Sequence, residues 1–512
     1  MTYDGILLGT GHNALVLRAY LSRAGFDILC LDRREVAGGG LATEEFPAGS
    51  GYFHNPHSFY HRALDKMLWY QELGLAGLGA TYHEPEHNVA MALRDGRTLS
   101  WWTDFEKTAA SVATFNRGDA DTFRKWRDRF LPIVQNLLIP EAQSPPLPPE
   151  ERKQRLSQTP DGQLLLETSA LSPLEFVQRE FQDPAVQAGL LFFNGLREVD
   201  LRCKGFGHHI PALLAGPGMA QLCRGGSAKL AEALVQAGDG DLRLGVELEE
   251  ILVEGGRAVG VRTSDGETYR AQHFVASGLN PQQTFLDLLP EDAVPSEWRN
   301  KAQNFQYNRI APLFGTYLNL DEPPKYKNPG LDDAFMVILG LDHVDQFHDI
   351  VRHHETGTFP LHVMWGSCPT QFDPTQAPTG KHTAFMCEKL PYRPDWDDLG
   401  KRHSEAMLQT WSTYAPNLPT SITHSFWRSP LDTERTLPNM HHGDLLVGAF
   451  TGGQTGYHRP FPGAGHYRGH LDGLYLCGSS CHPGGNITGL PGYNCAKVLS
   501  VDLGLDISPS KI

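Results

Sequence analysis

Apolar residues fall into distinct periods along this chain. Ile6, Leu7 and Leu8 form a short unbroken run, Leu15, Ala19 and Leu21 recur at helical spacing, and residues 28–31 are apolar again before Asp32. Strand, helix and second strand follow from these periods. Between residues 76 and 214 the pattern is mostly helical, after a strand at 89–93 and a turn at Asp95-Gly96. A long helix over 120–138 would carry Phe123, Trp126, Phe130, Ile133 and Leu137 on one face, and Pro132 inside it should kink or split it. Pro140, Pro145, Pro146, Pro148, Pro149 and Pro160 then interrupt regular structure, which predicts a linker or mobile cover, and helical spacing resumes over 176–196.

After Gly225-Gly226-Ser227 an amphipathic helix carries Leu230, Leu234 and Val235. Short strands are predicted at 248–253, 257–263, 267–269 and 273–276, with tight turns at Gly255-Gly256 and Asp265-Gly266. From 300 to 430, strand-like runs at 313–320, 335–339, 361–366 and 383–387 accompany a helix near 399–414. Phe305, Tyr307, Phe314, Tyr317, Trp365, Phe385, Trp411 and Trp427 belong to this stretch. Core packing accounts for most of them, and a hydrophobic cavity would use the same residues.

A length of 512 residues exceeds one hydrophobic core and predicts several domains. With 44 Lys+Arg against 59 Asp+Glu, the formal charge of -15 argues against a nucleic-acid partner or general affinity for anionic lipid. No basic segment followed by an apolar run opens the chain, and no stretch of about 18 apolar residues could span a bilayer. A soluble, cytoplasmic protein is the expectation. The 8 cysteines show no paired C-x-x-C, and the 23 histidines show no metal-protease or zinc-finger spacing.

The chemistry concentrates at two glycine-bearing turns. Gly9-Thr10-Gly11-His12-Asn13-Ala14 lies between the first strand and helix as G-x-G-x-x-A, and Asp32 ends the second strand. Gly9 permits the turn, Gly11 lets a pyrophosphate approach the backbone, Ala14 allows close helix–sheet contact, and Asp32 can accept from a ribose hydroxyl. This is a dinucleotide fingerprint. Near the other end, residues 474–478 form a strand, a Gly/Pro-rich loop follows, and a helix begins near Pro491. Its N-terminus is again an anion-binding geometry.

Arg33, Gly38 and Gly39 give R-x-x-x-x-G-G after the second strand, where a nicotinamide domain would continue into a crossover helix. The closing segment 474–494 carries H-P-G-G-x-x-x-G-x-x-G-x-N, and Gly453-Gln454 and His458-Arg459-Pro460 lie upstream. Together these resemble the phytoene desaturase-like branch of the carotenoid desaturase and amine oxidase superfamily. The resemblance implies an α/β fold, with a Rossmann-like FAD-binding domain of the glutathione-reductase-like class and an interleaved α+β substrate domain. FAD-domain segments are then expected at 1–75, 215–299 (with a β-meander) and 431–512, and substrate-domain segments at 76–214 and 300–430. Gly9, Gly11, His12, Asn13, Ala14, Asp32 and Arg33 would contact FAD, followed by the loop of Gly39, Gly40 and Leu41. Leu248 would offer its main chain to adenine, and Gly478, Ser479, Thr488 and Gly489 would close on the flavin. Family members often have Arg where this chain has Gly40, which removes one phosphate contact.

The family segment F-D-x-G appears here as Phe53-His54-Asn55-Pro56. His54, His57 and His482 are the candidates for moving a proton or orienting substrate. The implied reaction is FAD-dependent dehydrogenation, with hydride and proton leaving a small organic substrate to form a C=C bond and with oxygen or a quinone as final acceptor. The acidic composition and the histidines suggest a smaller or more polar molecule than a lipophilic polyene. Amine oxidation, or a flavin-binding interaction protein without turnover, are the alternatives, and a homo-oligomer is possible. Zinc ligation at Cys477, Cys481 and His482 and a covalent flavin bond at Cys481 or His482 are minor readings of the closing loop.

Overall fold

The computed structural model describes residues 1–194, 199–216, 218–359, 363–451 and 453–508. The expected helix residues Gly195 and Leu196, strand residues Leu361 and His362, and the last residues of the closing segment (509–512) lie outside these. Among the described residues there are two seven-stranded sheets.

The first sheet is built on β1 (Thr2–Leu8), α1 (His12–Arg23) and β2 (Ile28–Leu31), with β2 and the strand Thr268–Ser277 parallel to β1 on either side. Leu474–Leu476 pairs parallel to Thr268–Ser277, and Asp241–Arg243 extends the sheet beyond β2. Buried on both faces, β1 and β2 read as continuous apolar runs. The meander Leu248–Glu254, Arg257–Thr263 and Thr268–Ser277 is antiparallel. Its last member is one strand of 10 residues where two were expected at 267–269 and 273–276. The intervening residues Arg270 and Ala271 pair with Thr2 and Tyr3, so hydrogen bonding to β1 carries the strand through the polar gap.

The second sheet runs Ile422–Arg428, Leu313–Leu320, His382–Lys389, Met364–Ser367, Met336–Leu339, His87–Ala92 and Thr98–Trp102. Its last two strands come from the mostly helical stretch, and His87–Ala92 joins parallel to Met336–Leu339. The expected helix at 120–138 is Arg117–Ile133 followed by a π turn, Val134–Leu138, and a short helix, Ile139–Ala142. Pro132 lacks an N–H, and the wider π turn follows directly.

The proline-rich stretch is not a simple linker. Helices Pro149–Leu156 and Pro160–Ser169 each begin on a proline, as do Pro173–Glu180 and Pro184–Asn194 where one helix was expected. At a first helical position the missing N–H costs nothing. No helix among the described residues is long and apolar enough to cross a membrane.

Candidate active site

The first cavity, about 310 Å³, opens at the end of β1 and runs along the edge of the first sheet. Gly9 turns the chain at φ +89°, and Gly11, at φ -61° and ψ 158°, is the N-cap of α1 without a side-chain cap. The N–H groups of His12, Asn13 and Ala14 therefore end α1 without helical partners, carrying the positive end of its dipole. Gly9, Gly11, His12, Asn13 and Ala14 all line the cavity. A Cβ built on Gly11 meets no protein atom within 4 Å. Since its φ and ψ suit any residue, what the missing side chain leaves free is the cavity itself. Nearby, His12 Nε2 and Asn13 Oδ1 are buried without hydrogen-bond partners. Open backbone, unpaired polar atoms and a bare helix N-terminus fit a diphosphate-bearing dinucleotide.

Asp32, Arg33, Gly39 and Gly40 also line this cavity, as do Leu248, Gly478 and Ser479. Asp32 holds the turn itself: one carboxylate oxygen accepts from Thr10 N (2.7 Å) and Thr10 Oγ1 (2.6 Å), and the other from Arg34 N (2.9 Å). Gly39 is required by loop packing, because its Cβ would lie 3.2 Å from Gly11 Cα at φ +58°. Asn13 donates to Ser479 Oγ at 3.1 Å, tying the two glycine-bearing turns together. Leu41 is buried and lies on neither cavity wall. Thr488 lines a second cavity instead, and Gly489, at φ +66°, lines neither because it packs against the Trp69 ring.

That second cavity, about 340 Å³, shares Gly40, Met440, Leu445, Asn486 and Ile487 with the first. One face of the second sheet makes its back wall. Phe385, Cys387 and Lys389 alternate along one strand, with Tyr317 opposite Phe385, Leu313 opposite Lys389 and Trp365 opposite Cys387. Tyr317, Trp365 and Phe385 are thus the cavity members of the expected aromatic set. Phe305 and Phe314 are buried away from both walls. The facing wall is residues 55–62, including His57, Phe59, His61 and Arg62.

Of the three histidine candidates, only His57 lines this cavity. Burial, with Arg34 and Arg428 adding to it, pushes its imidazole down to about 3, so it is neutral near pH 7. His54 lies off the wall because Phe53–His54 pairs with Glu44–Glu45 and turns its ring onto Asn319, with Nε2 donating to Oδ1 at 2.8 Å. His482 donates from Nε2 to the Glu141 carbonyl at 3.1 Å, joining the closing loop to the helix end at Ile139–Ala142. Burial holds both near 4. Cys481 is a buried free thiol pushed up to about 12 by burial, far from the thiolate that a metal or covalent bond needs.

Sequence reasoning missed His61, Arg62, Lys389 and the 437–447 loop that supplies Met440 and Leu445. The alternation Phe385-x-Cys387-x-Lys389 was a usable signal for a common face. The sequence around Met440 carried none.

The family of flavin-containing amine oxidoreductases matches residues 19–492. A limonene dehydrogenase polypeptide of Castellaniella defragrans is 30% identical over 535 residues, covering 98% of this chain and 95% of that protein. Pyridine nucleotide-disulfide oxidoreductase domain-containing protein 2 of Rattus norvegicus is 25% identical, covering 98% and 94%. Among solved structures, putrescine oxidase bound to putrescine shares the fold at TM-score 0.63 and 12% identity, over 98% of this chain and 99% of that one.

Proposed function

This chain belongs to the flavin-containing amine oxidoreductase family and is an FAD-dependent oxidoreductase, and from that premise we propose that it dehydrogenates a C–C bond of a small organic molecule held in the second cavity. The observation that carries this reading is the charge of the wall: its ionised side chains are Arg62 and Lys389, both cations, and no lining residue described is a carboxylate. A substrate ammonium would meet positive potential there, which disfavours amine oxidation. The name of the limonene dehydrogenase relative supports the same choice.

In this reading the α1 N-terminus and Gly9 and Gly11 hold the diphosphate, Asp32 the adenosine ribose, Leu248 the adenine edge, and Gly478 and Ser479 the closing side. FAD, when bound, supplies a two-electron acceptor. Phe59, Tyr317, Trp365 and Phe385 exclude water and fix the carbon skeleton. His57, neutral and on the wall beside Gly40, takes the proton released when the double bond forms. His54 and His482 act as struts. Oxygen or a quinone then accepts the electrons.

An anaerobic screen that follows flavin absorbance and product mass tests the proposal. Bleaching with loss of two hydrogens, carbon skeleton and nitrogen intact, is expected. Ammonia or aldehyde release would overturn it.

A further inference from the structure

His61 has no part in the scheme above, yet it is buried and forms part of the substrate cavity wall. Its Nδ1 lies 2.6 Å from the Tyr82 hydroxyl, and its Nε2 has no hydrogen-bond partner. Strand pairing fixes both rings: His61 pairs with Gln221 and Tyr82 with Cys223, on opposite edges of the strand Ala220–Cys223. A separation of 2.6 Å is short for an imidazole N–H donating to oxygen and ordinary for a hydroxyl donor. Tyr82 therefore donates to Nδ1, and the ring's proton resides on Nε2. A buried N–H without an acceptor is costly, and such atoms in native proteins call for an explanation.

The same wall carries Arg62 and Lys389, whose side chains only donate. The polar part of this cavity thus offers N–H groups, while Phe59, Trp365 and Phe385 make the rest apolar. The complementary ligand is an apolar skeleton bearing an acceptor oxygen. We infer that the substrate is a small carbonyl compound whose oxygen accepts a hydrogen bond from His61 Nε2, and that the C–C bond dehydrogenated is the one next to that carbonyl.

This rests on the dehydrogenation reading and gives it a chemical reason. Hydrogen bonding to the carbonyl oxygen stabilises the negative charge that develops there as the neighbouring C–H is broken. The proton from the α-carbon goes to His57, and that bond's electron pair becomes the new π bond. The β-carbon loses hydride to FAD as oxidant. The substrate is oxidised by two electrons and FAD is reduced by two.

The test is equilibrium binding to the FAD-loaded protein without oxygen, read from the shift of flavin absorbance before any bleaching. The probes are cyclohexanone, methylcyclohexane and cyclohexylmethylamine. Cyclohexanone should bind at least about tenfold more tightly than methylcyclohexane, since only the ketone satisfies the buried donor. His61→Phe should remove that preference while FAD content and methylcyclohexane binding stay unchanged, and His61→Gln, which keeps an N–H donor, should restore part of it. Tyr82→Phe, which frees the tautomer, should weaken ketone binding by a few-fold. Equal binding of ketone and hydrocarbon in the native protein overturns the inference, as does an equal loss of both in a folded His61→Phe protein. Desaturation of the hydrocarbon but not the ketone overturns it and leaves the dehydrogenation reading standing. Ammonia released from the amine overturns that reading instead.

Discussion

The two cavities meet at Gly40 and Met440 but are made by opposite means. The first is a backbone site: a helix N-terminus, stacked glycine loops and a carboxylate committed to holding the turn. The second is a side-chain site, with aromatics and donors brought from residues 55–62 and from strands more than 250 residues further along. Backbone sites tolerate changes of side chain and fail when a Cβ intrudes. Side-chain sites fail one residue at a time.

The largest effect should come from the second cavity. His57→Gln removes the proposed proton acceptor and leaves the cofactor turn untouched, so anaerobic flavin reduction should slow by about 10²–10⁴-fold with FAD content unchanged. Stopped-flow absorbance measures the rate and the protein-to-flavin ratio measures the content. Joint loss of both would mean that the two cavities do not divide labour in this way.

The reciprocal change is Gly11→Val. Its side chain enters space that no protein atom occupies, so thermal stability of the flavin-free protein should change by no more than about 1 kcal/mol. Cofactor affinity, measured by quenching of flavin fluorescence, should fall by about a hundredfold, the scale of a few kcal/mol of overpacking. A variant that unfolds while still binding flavin would reverse the assignment of Gly11. Gly492 is the control of opposite kind, because a Cβ there would lie 1.9 Å from the Asn13 carbonyl oxygen where the last helix crosses α1.

This contrast also explains what could be read in advance. The first cavity rests on short-range geometry: Gly9, Gly11, Ala14 and Asp32 sit within one strand–helix–strand unit, so spacing alone implies their arrangement. The second depends on which face of a strand turns inward and how a loop is pinned. His54 and His57 are equivalent as residue types in sequence, and only the pairing of Phe53–His54 with Glu44–Glu45 sends one to Asn319 and leaves the other on the wall. His61 gains its role from Tyr82, held across a strand more than 130 residues away. The prolines misled for a local reason, since a missing N–H breaks a helix interior but suits its first turn.

His482 sits between the regions, and a smaller effect should follow from its loss. Its hydrogen bond reaches the Glu141 carbonyl, while Asn494 donates to Ala142 (3.0 Å) and Lys497 to Gln143 (2.8 Å) at the same helix end. His482→Ala should therefore cost about 1–2 kcal/mol in denaturant unfolding, with the neighbouring donors keeping the helix docked. Flavin reduction should change by less than about threefold, well below the loss expected for an acid–base group. A loss of a hundredfold or more would return His482 to the catalytic set.

The smallest change expected is with pH. His57 binds its proton only near pH 3 in the folded chain, against about 6.5 in an unfolded one. Between about pH 8 and 5 its imidazole therefore stays neutral, and the rate of flavin reduction by a neutral substrate should vary by less than about twofold. An imidazole of ordinary pKa would lose about thirtyfold of its neutral form at pH 5. Folding stability behaves differently. Above pH 6.5 neither state binds the proton and His57 contributes no pH dependence; below it the unfolded chain takes up a proton that the folded chain refuses, so stability declines until about pH 3. Denaturant melts at about pH 7 and 5 beside reduction rates at the same values should thus diverge, stability falling while the rate holds. A rate that climbs with pH, as a substrate ammonium loses its proton, would instead favour amine chemistry and remove the reason for cations on the wall.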